Sequence, residues 1–328
     1  MTVRTAFVTG GTGFVGVNLV KALREQGWEV VALHRPSSDL RYLAPLGARL
    51  VQGSLTDRAS LKRAMPPGVD AVFNVAADLS LARKGDAPQT RVNVDGTRNM
   101  VEAALEAGAR RFIQTSSVAA YGFQPGVISE TTPSTAPASP VNYARTKWLS
   151  EEEVRAGVAH GLDAVILNPT NIVGPYDRHG WARLIRLVAA RKLPGVGPGG
   201  GVFCHVREVV RAHLAAVDKG SGGENFLLGG AHASYLEFAQ AAAEIAGGKA
   251  PKRAMPPWLV RLLSRVLPPL SGLTGLPADI TPEVALMLNL DFRADSAKAV
   301  RELGYREIPL REMVADSVRW LKAEGLIP

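Results

Sequence analysis

The sequence of 328 residues is poor in the side chains that bind metals or form cross-links. It contains one cysteine, Cys204, and six histidines, none of them in an HxxxH or HExxH pattern. An internal disulfide and a cysteine-rich metal site are therefore excluded, and a zinc hydrolase is disfavoured. No uninterrupted apolar run reaches the ~18 residues of a membrane span, and the segment before the first glycine is too short for a signal-peptide core. We expect a cytoplasmic protein without a metal site or a membrane span.

The sequence also lacks any concentration of charge. A formal net charge of +8 arises from 38 Lys and Arg against 30 Asp and Glu, and the excess is divided evenly between the two halves of the chain. Nucleic-acid-binding proteins usually gather their cations on one arm or face, so we expect no nucleic-acid partner. A small anionic ligand is compatible with this charge.

Short β-branched runs alternate with longer helical patterns in the first half of the chain. The predicted strands are 5–9, 29–33, 49–52, 70–75, 111–115 and 163–168, and the main predicted helices are 14–26, 90–107 and 141–159. This alternation is typical of right-handed βαβ units, and it predicts an α/β fold built on a doubly wound parallel sheet.

After Pro169 the composition shifts towards Pro and Gly, notably over 193–201 and 251–277. We predict a dinucleotide-binding domain over 1–172, to which 202–228 returns. The segments 173–201 and 229–328 then form a smaller, interleaved substrate-binding lobe.

The first predicted strand leads into TGGTGFVG at 9–16, with glycines at 10, 13 and 16. The chain must turn sharply at Gly10, a side chain at Gly13 would block close approach of a pyrophosphate, and Gly16 allows the helix to pack on the strand. The helix N-terminus then offers free N–H groups to phosphates. Because the loop follows a strand and opens a helix, the pattern predicts a dinucleotide site.

The end of the second strand indicates which dinucleotide is bound. An acidic residue there binds the ribose hydroxyls of NAD, whereas an arginine accommodates the 2′-phosphate of NADP. The sequence has Arg35 at this point and no acidic residue before Asp39. We therefore predict NADP as the cofactor, with NAD as the alternative if Asp39 folds back.

Tyr143 and Lys147 are four residues apart in a helical pattern, so they share one face. A tyrosine with its ordinary pKa of about 10 is a poor acid or base near neutrality, and we expect the ammonium of Lys147 to lower that pKa. Ser116 and Ser117 end the fifth predicted strand, where a hydroxyl can hydrogen-bond a carbonyl or an alcohol.

With these features together, the sequence resembles the extended short-chain dehydrogenase/reductase family, also known as the NAD-dependent epimerase/dehydratase superfamily, over almost the whole chain. The motifs that carry the resemblance are TGGTGFVG (9–16), NVAA (74–77), NVDGT (93–97), TSSVAAYG (115–122), YARTK (143–147) and NPTNIVGP (168–175). DSAKAVRELGY (295–305) and SVRWLKAEG (317–325) make it most similar to the dihydroflavonol reductase and 3β-hydroxysteroid dehydrogenase-like branch.

The resemblance implies a Rossmann-type sheet and assigns roles to residues. Ser117 would be the catalytic serine in preference to Ser116, Tyr143 the acid/base and Lys147 its partner, while Asn93 would tie the lysine to a water relay. The expected cofactor-binding residues are Gly10, Thr12, Gly13, Phe14, Val15, Gly16, Arg35, Ser54, Leu55, Ala76, Tyr143, Lys147, Pro169 and Ile172. The family also suggests a homodimer formed through the helices at 90–107 and 141–159.

The chain departs from the family pattern at two motifs. Ser54 stands where an aspartate often contacts adenine, so that contact is weakened or replaced. The acidic pair that usually follows a later His-Val motif is Arg207-Glu208 here, which counts against a standard nucleotide-sugar lobe.

The favoured hypothesis is an NADP-dependent oxidoreductase that interconverts a carbonyl and a hydroxyl on a small, moderately apolar substrate. The alternative is an NAD-dependent nucleotide-sugar epimerase or dehydratase, which Asn171 favours. A third class, a cofactor-binding regulator without turnover, is disfavoured by the intact set of Ser117, Tyr143 and Lys147.

The sequence also predicts the environment of two further segments. The amphipathic stretch 257–270, with Arg261 and Arg265, is compatible with a membrane-surface helix, but its short length and abrupt proline borders favour a helix packed on the core. The acidic run 151–153 is expected to form a solvated face.

Overall fold

The structure, a computed structural model, describes residues 3–80, 86–274 and 280–328, with side chains in the middle range described as far as residue 269. The β-strands of these residues are, in chain order, Thr5–Thr9 (β1), Glu29–His34 (β2), Arg49–Gln52 (β3), Ala71–Asn74 (β4), Phe112–Thr115 (β5), Gly126–Ile128 (β6), Ala164–Pro169 (β7), Asn171–Val173 (β8), Gly200–His205 (β9), Glu224–Leu228 (β10), Ala231–Ser234 (β11) and Phe292–Ala294 (β12). The helices are Phe14–Glu25 (α1), Arg58–Ala64 (α2), Asp86–Thr90 (α3), Gly96–Ala107 (α4), Asn142–Ala159 (α5), Trp181–Ala189 (α6), Val206–Ala215 (α7), Tyr235–Ala246 (α8), Pro257–Thr274 (α9), Pro282–Leu288 (α10), Ala297–Leu303 (α11) and Leu310–Ala323 (α12).

Within the described residues, seven strands form one parallel sheet in the order β10-β7-β5-β4-β1-β2-β3. The chain runs outward from β1 to β3 and then crosses back to place β4 on the other side of β1, with Ala6 paired to both Val30 and Ala71. Such a reversal opens a crevice at the carboxyl ends of the strands, where α/β proteins bind their ligands. The predicted doubly wound parallel sheet is confirmed.

Helices cover both faces of this sheet because its strands are apolar on both sides. On one face α1 and α7 pack against the sheet through Leu19, Leu23 and Val209. On the other face α2, α4 and α5 do so through Leu61, Met100 and Val154.

The helix predicted over 90–107 differs from the observed one at its start. Among the described residues the helical segment already includes Asp86–Thr90, and the π-helical turn Arg91–Asp95 joins α3 to α4. Gly96 lies directly against Leu55 at this point, and a Cβ on Gly96 would come within 2.8 Å of the Leu55 Cβ. A π turn adds a residue to the helix and often marks a functional site, which a purely 3.6-residue pattern does not reveal.

The later part of the chain builds a second core beside the main sheet. β8, β9 and β11 form a small sheet, and Phe203, Trp181 and Phe238 pack their rings at centroid distances of 4.8–5.0 Å. α7 and β10 return to the main sheet, where β10 pairs with β7. β12 pairs with β6, so the C-terminal segment reaches back to the first half of the chain.

These contacts interleave the two predicted domains, whose division stays a prediction. Residues 81–85 of the first domain and 275–279 of the second lie outside the described residues. In the part of the chain that the structure describes, no helix has both the length and the apolar character needed to cross a bilayer.

Candidate active site

The loop between β1 and α1 lies at the crevice of the main sheet. Gly10 has φ +68°, and a Cβ there would meet the backbone nitrogen of Ala76 at 2.8 Å. A Cβ at Gly16 would overlap the carbonyl oxygen of Gly10. These two glycines are therefore required by the turn and by its packing on the segment after β4.

Gly13 is required for a different reason. A Cβ there would have one near neighbour, the Gly10 oxygen at 3.3 Å, and would otherwise project into the cavity beside the loop. Gly13 is also the N-cap of α1, which has no side-chain cap and no acidic residue in its first turn. The first N–H groups of α1 thus lack a side-chain partner, and the cradle fits a dinucleotide pyrophosphate in both shape and charge.

Thr9 ties the loop to the neighbouring strand. Its hydroxyl donates to Asn74 Oδ1 at 2.9 Å and accepts from the backbone nitrogens of Val75 and Ala76, both at 3.1 Å. This buried threonine, which was not predicted as a site residue, holds the ends of β1 and β4 in register.

Lys147 and Tyr143 lie on the face of α5 that borders the same cavity. Lys147 is 3% exposed, and its Nζ donates to the carbonyl oxygen of Thr115 at 3.0 Å and lies 6.0 Å from the Tyr143 ring centroid. Ser117 reaches the cavity from the end of β5, where its hydroxyl accepts from Ala119 N and its carbonyl accepts from Asn168 Nδ2. The structure therefore brings together the three residues predicted to be catalytic.

Burial dominates the ionisation of these side chains. It raises the pKa of Tyr143 to about 12, with the Ser117 hydroxyl acting in the opposite direction. It lowers the pKa of Lys147 to about 8, against the attraction of the Glu151 carboxylate. The expectation that Lys147 depresses the pKa of Tyr143 is thus wrong for the chain by itself, because loss of hydration raises this pKa and the Ser117 hydroxyl is what opposes it.

Ser116 has a different environment from Ser117. Its hydroxyl donates to Glu151 Oε1 at 2.5 Å, and Glu151 also accepts from Asn168, Asn225 and Arg155. Glu151 is buried, so the expected solvated face over 151–153 is wrong at its first residue. The burial of this charge is offset by its four donors.

At the other end of the cavity lie the residues predicted to contact the adenosine half of a dinucleotide. Arg35, Ser54 and Leu55 all border it. Asp39 Oδ1 accepts from the backbone nitrogen of Arg41, while its Oδ2 is 3.3 Å from an Arg178 nitrogen. The hydrogen bond from Arg41 lowers the pKa of Asp39, so this carboxylate is already engaged.

Asn93 is buried between the loop after β4 and α5, and its role in a water relay stays a prediction. Its side chain pairs with the backbone N–H and carbonyl of Asp78 and donates to Thr146 Oγ1 at 3.1 Å. It holds the loop after β4 against α5, one residue away from Lys147.

All of the predicted catalytic and cofactor-binding residues line a single cavity of about 1080 Å³. Its apolar outer wall was not predicted from the sequence and consists of Val118, Phe123, Trp181, Tyr235, Met287, Leu290 and Phe292. Most of these come from the second lobe, and only tertiary packing places them there. In the described ranges no three His, Cys, Asp or Glu side chains converge as they would around a metal ion.

A parallel sheet with a glycine cradle at its crevice, and a tyrosine and lysine on the adjoining helix, define a dinucleotide-dependent α/β enzyme. The model of the NAD-dependent epimerase/dehydratase family matches residues 6–229. The chain belongs to this family and is an NAD(P)-dependent oxidoreductase. The resemblance found from the motifs is thereby confirmed.

Individual relatives match over nearly the full length. The chain is 36% identical to sterol demethylase protein B of Methylococcus capsulatus, covering 98% of this chain and 100% of that protein. It is 34% identical to a putative dihydroflavonol 4-reductase of Synechocystis, covering 98% and 95%. The crystal structure of gox2253 superimposes with a TM-score of 0.85 at 33% identity, covering 99% and 100%.

Proposed function

We propose that the protein is an NADP-dependent reductase or dehydrogenase that interconverts a carbonyl and a hydroxyl on a small, moderately apolar substrate. The observation that carries the proposal is the convergence of Ser117, Tyr143 and Lys147 on the wall of the cavity that also contains the glycine cradle. Hydride donor, proton donor and substrate can then meet in one enclosed space.

The site residues have different roles in the proposed reaction. A nicotinamide, when bound, would supply the hydride for a carbonyl carbon or accept one from the alcohol carbon in the reverse direction. Tyr143 gives its hydroxyl proton to the carbonyl oxygen, and its raised pKa keeps that proton in place at neutral pH. Lys147, with a pKa of about 8, is mostly protonated near neutrality and supports the phenolate that Tyr143 leaves behind. Ser117 orients the carbonyl oxygen by a hydrogen bond.

Two features support NADP over NAD. Arg35 borders the cavity at the end of β2, where a 2′-phosphate would lie. Asp39, the carboxylate that would favour NAD, is held by Arg178 and by the Arg41 backbone. An arginine at the end of β2 and an engaged carboxylate both favour the phosphorylated cofactor.

The apolar outer wall supports an apolar substrate. Phe123, Met287 and Phe292 present rings and a thioether rather than charges. Among the described wall residues, the cations are Arg35, Lys147 and Arg178. The first and last of these lie beside Asp39 and the end of β2, which leaves no described cation for the diphosphate of a nucleotide sugar at the outer wall. Relatives named for sterol demethylation and for dihydroflavonol reduction are in keeping with this class.

The second candidate is an NAD-dependent nucleotide-sugar epimerase or dehydratase. The family model and the position of Asn171 in the cavity wall favour it. Such an enzyme retains its NAD between turnovers, so denaturation of the purified protein would release about one equivalent. An empty protein that binds NADPH more tightly than NADH supports the reductase instead.

The test is the variant Tyr143→Phe, assayed by NADPH consumption with a panel of apolar aldehydes and ketones, including steroid ketones. Turnover should fall by about 100-fold or more because the proton donor is lost, while the Kd for NADPH stays within about twofold. Tyr121→Phe is the matched control, since Tyr121 is buried next to the site but outside the cavity wall. Undiminished turnover in Tyr143→Phe contradicts the proposed mechanism.

A further inference from the structure

Helix α9 has one packed side and one side exposed to solvent. Val260 and Ser264 are buried on the packed side, and α10 lies against this helix. On the opposite side Trp258, Leu262 and Val266 are 63%, 49% and 42% exposed. A spacing of four residues places these three side chains in one stripe. The expectation of a helix packed on the core therefore describes half of α9.

Single exposed apolar side chains are ordinary in globular proteins, but an aligned set that includes a largely exposed tryptophan indicates a contact surface. Because Trp258, Leu262 and Val266 lie in one row, their exposed apolar areas join into one continuous patch, which three scattered residues would not form. The stripe occurs on a helix whose sequence over 257–269 contains no Asp or Glu.

The charge around the stripe has one sign. Arg261 and Arg265 are exposed on the same side of the helix, and Lys252 and Arg253 are exposed just before it. Between residues 245 and 278 the sequence contains five cationic residues and no acidic one: Lys249, Lys252, Arg253, Arg261 and Arg265. An apolar stripe flanked by cations is complementary to a surface that is apolar inside and anionic outside.

We propose that this side of α9 docks on the surface of a bilayer rich in anionic lipids. Trp258 is suited to the boundary between headgroups and acyl chains, and the two arginines reach lipid phosphates while their stems lie on apolar surface. The cations around the helix add attraction to the negative surface potential.

The charge favours lipid over a second copy of the chain as the occupant. A symmetric pairing through this stripe would place Arg261 and Arg265 close to the same residues of the other copy. Like charges brought together in this way repel each other. The anionic headgroups of a bilayer instead neutralise all of them.

The position of α9 links docking to the cavity. α10, which packs on α9, carries Met287 in the outer wall. Docking would therefore hold that wall near a membrane, where apolar molecules are dissolved. The docking proposal itself goes beyond the proposed function and does not depend on which substrate is turned over.

The experiment is sedimentation of the full chain with vesicles of phosphatidylcholine alone or mixed with phosphatidylglycerol. We expect binding to the mixed vesicles, weakened by added salt. Trp258→Ser/Leu262→Ser and Arg261→Gln/Arg265→Gln should each reduce the binding constant by about tenfold or more. The controls are Val127→Ser, at a residue 62% exposed elsewhere, and Arg301→Gln/Arg306→Gln. Binding of NADPH or NADH by every variant shows that the cofactor site has formed, whichever dinucleotide the chain prefers.

A second measurement assigns the contact to the stripe. Vesicles should shift the tryptophan emission of the wild-type chain to shorter wavelength, and Trp258→Phe should abolish that shift while still binding. The proposal is overturned if the full chain does not sediment with the mixed vesicles. It is also overturned if both stripe variants bind as well as the controls, or if the wild type is a dimer in solution that Trp258→Ser/Leu262→Ser converts to monomer.

Discussion

Ser116 and Ser117 are neighbours in the sequence, but their hydroxyls have different partners. Ser116 donates to the buried Glu151, whereas Ser117 lies beside Tyr143 in the cavity. Both residues border the cavity, but side chains alternate in direction along a strand, so the two hydroxyls have different surroundings. The preference for Ser117 came from resemblance, and its catalytic role stays a prediction.

Glu151 shows what a charge pattern leaves out. A run of three glutamates suggests a solvated helix face, but Glu151 follows Lys147 by four residues and so shares the face on which Lys147 is buried. The same helical spacing that identified Lys147 could have identified its buried neighbour. A position on the helix, not the charge of the side chain, decides burial here.

At the residue scale, Arg35 carries the prediction about cofactor choice. Arg35→Ala should weaken NADPH binding by about tenfold or more, since a charge-assisted hydrogen bond to a phosphate contributes about 1.5–3 kcal/mol. NADH binding should change little, because that cofactor has no 2′-phosphate. Fluorescence titration with both dinucleotides measures the difference. Arg41→Ala, in the same loop but outside the cavity wall, is the control, and equal losses for both cofactors would contradict the assignment.

At the element scale, two glycines of one loop should respond differently to the same substitution. Gly13→Ala adds a methyl group to the cradle with one contact at 3.3 Å. It should reduce dinucleotide affinity by about tenfold or more while the melting temperature changes little. Gly16→Ala forces a methyl group into the Gly10 carbonyl, and such overpacking costs about 1–3 kcal/mol. Its main effect should be a lower melting temperature.

Titration with NADPH and thermal unfolding of both variants separate the two effects. A Gly13→Ala protein with normal affinity would show that the phosphates do not approach this loop closely. A Gly16→Ala protein as stable as the wild type would show that the helix can move away from the strand.

The elements that sequence predicts well are those with a strong local signal. β1 and β3 have the predicted bounds, and α1 and α5 differ from prediction by one residue at an end. The helix α3 and the π turn at Arg91–Asp95 were missed because the turn interrupts the helical period. The outer wall was missed because Phe123, Tyr235 and Phe292 converge through pairings such as β6 with β12, which join segments far apart in sequence.

At the scale of the whole molecule, the C-terminal part of the chain packs back on earlier segments beside the cavity. β12 pairs with β6, Asp295 N donates to the Ile128 carbonyl, and the Tyr305 hydroxyl donates to the Gly229 carbonyl at 2.6 Å. The C-terminal segment thus contributes both to the cavity wall and to the packing of the main sheet. The cofactor and substrate regions should therefore unfold in one transition rather than as two independent domains. The homodimer through α4 and α5 stays a prediction.

One buried group should couple the stability of this whole structure to pH. His213 is fully buried, pairs through Nε2 with Thr115 Oγ1 at 2.8 Å, and has a pKa lowered by burial to about 4. The unfolded chain binds a proton at this histidine below its ordinary pKa of 6.5, whereas the folded chain does not until about pH 4. The stabilisation is therefore complete above pH 6.5 and is lost as the pH falls towards 4.

Between pH 7 and pH 5 this difference corresponds to about 2 kcal/mol of unfolding free energy. Urea denaturation at the two pH values should show the wild type losing about that much more than His213→Gln, which does not titrate. His160→Gln, at an exposed histidine, should keep the wild-type dependence. Protonation of His213 should also affect the active site, because Thr115, which pairs with His213, also accepts a hydrogen bond from Lys147 through its carbonyl. Equal losses in the wild type and His213→Gln would mean that His213 is already protonated in the folded chain at pH 5.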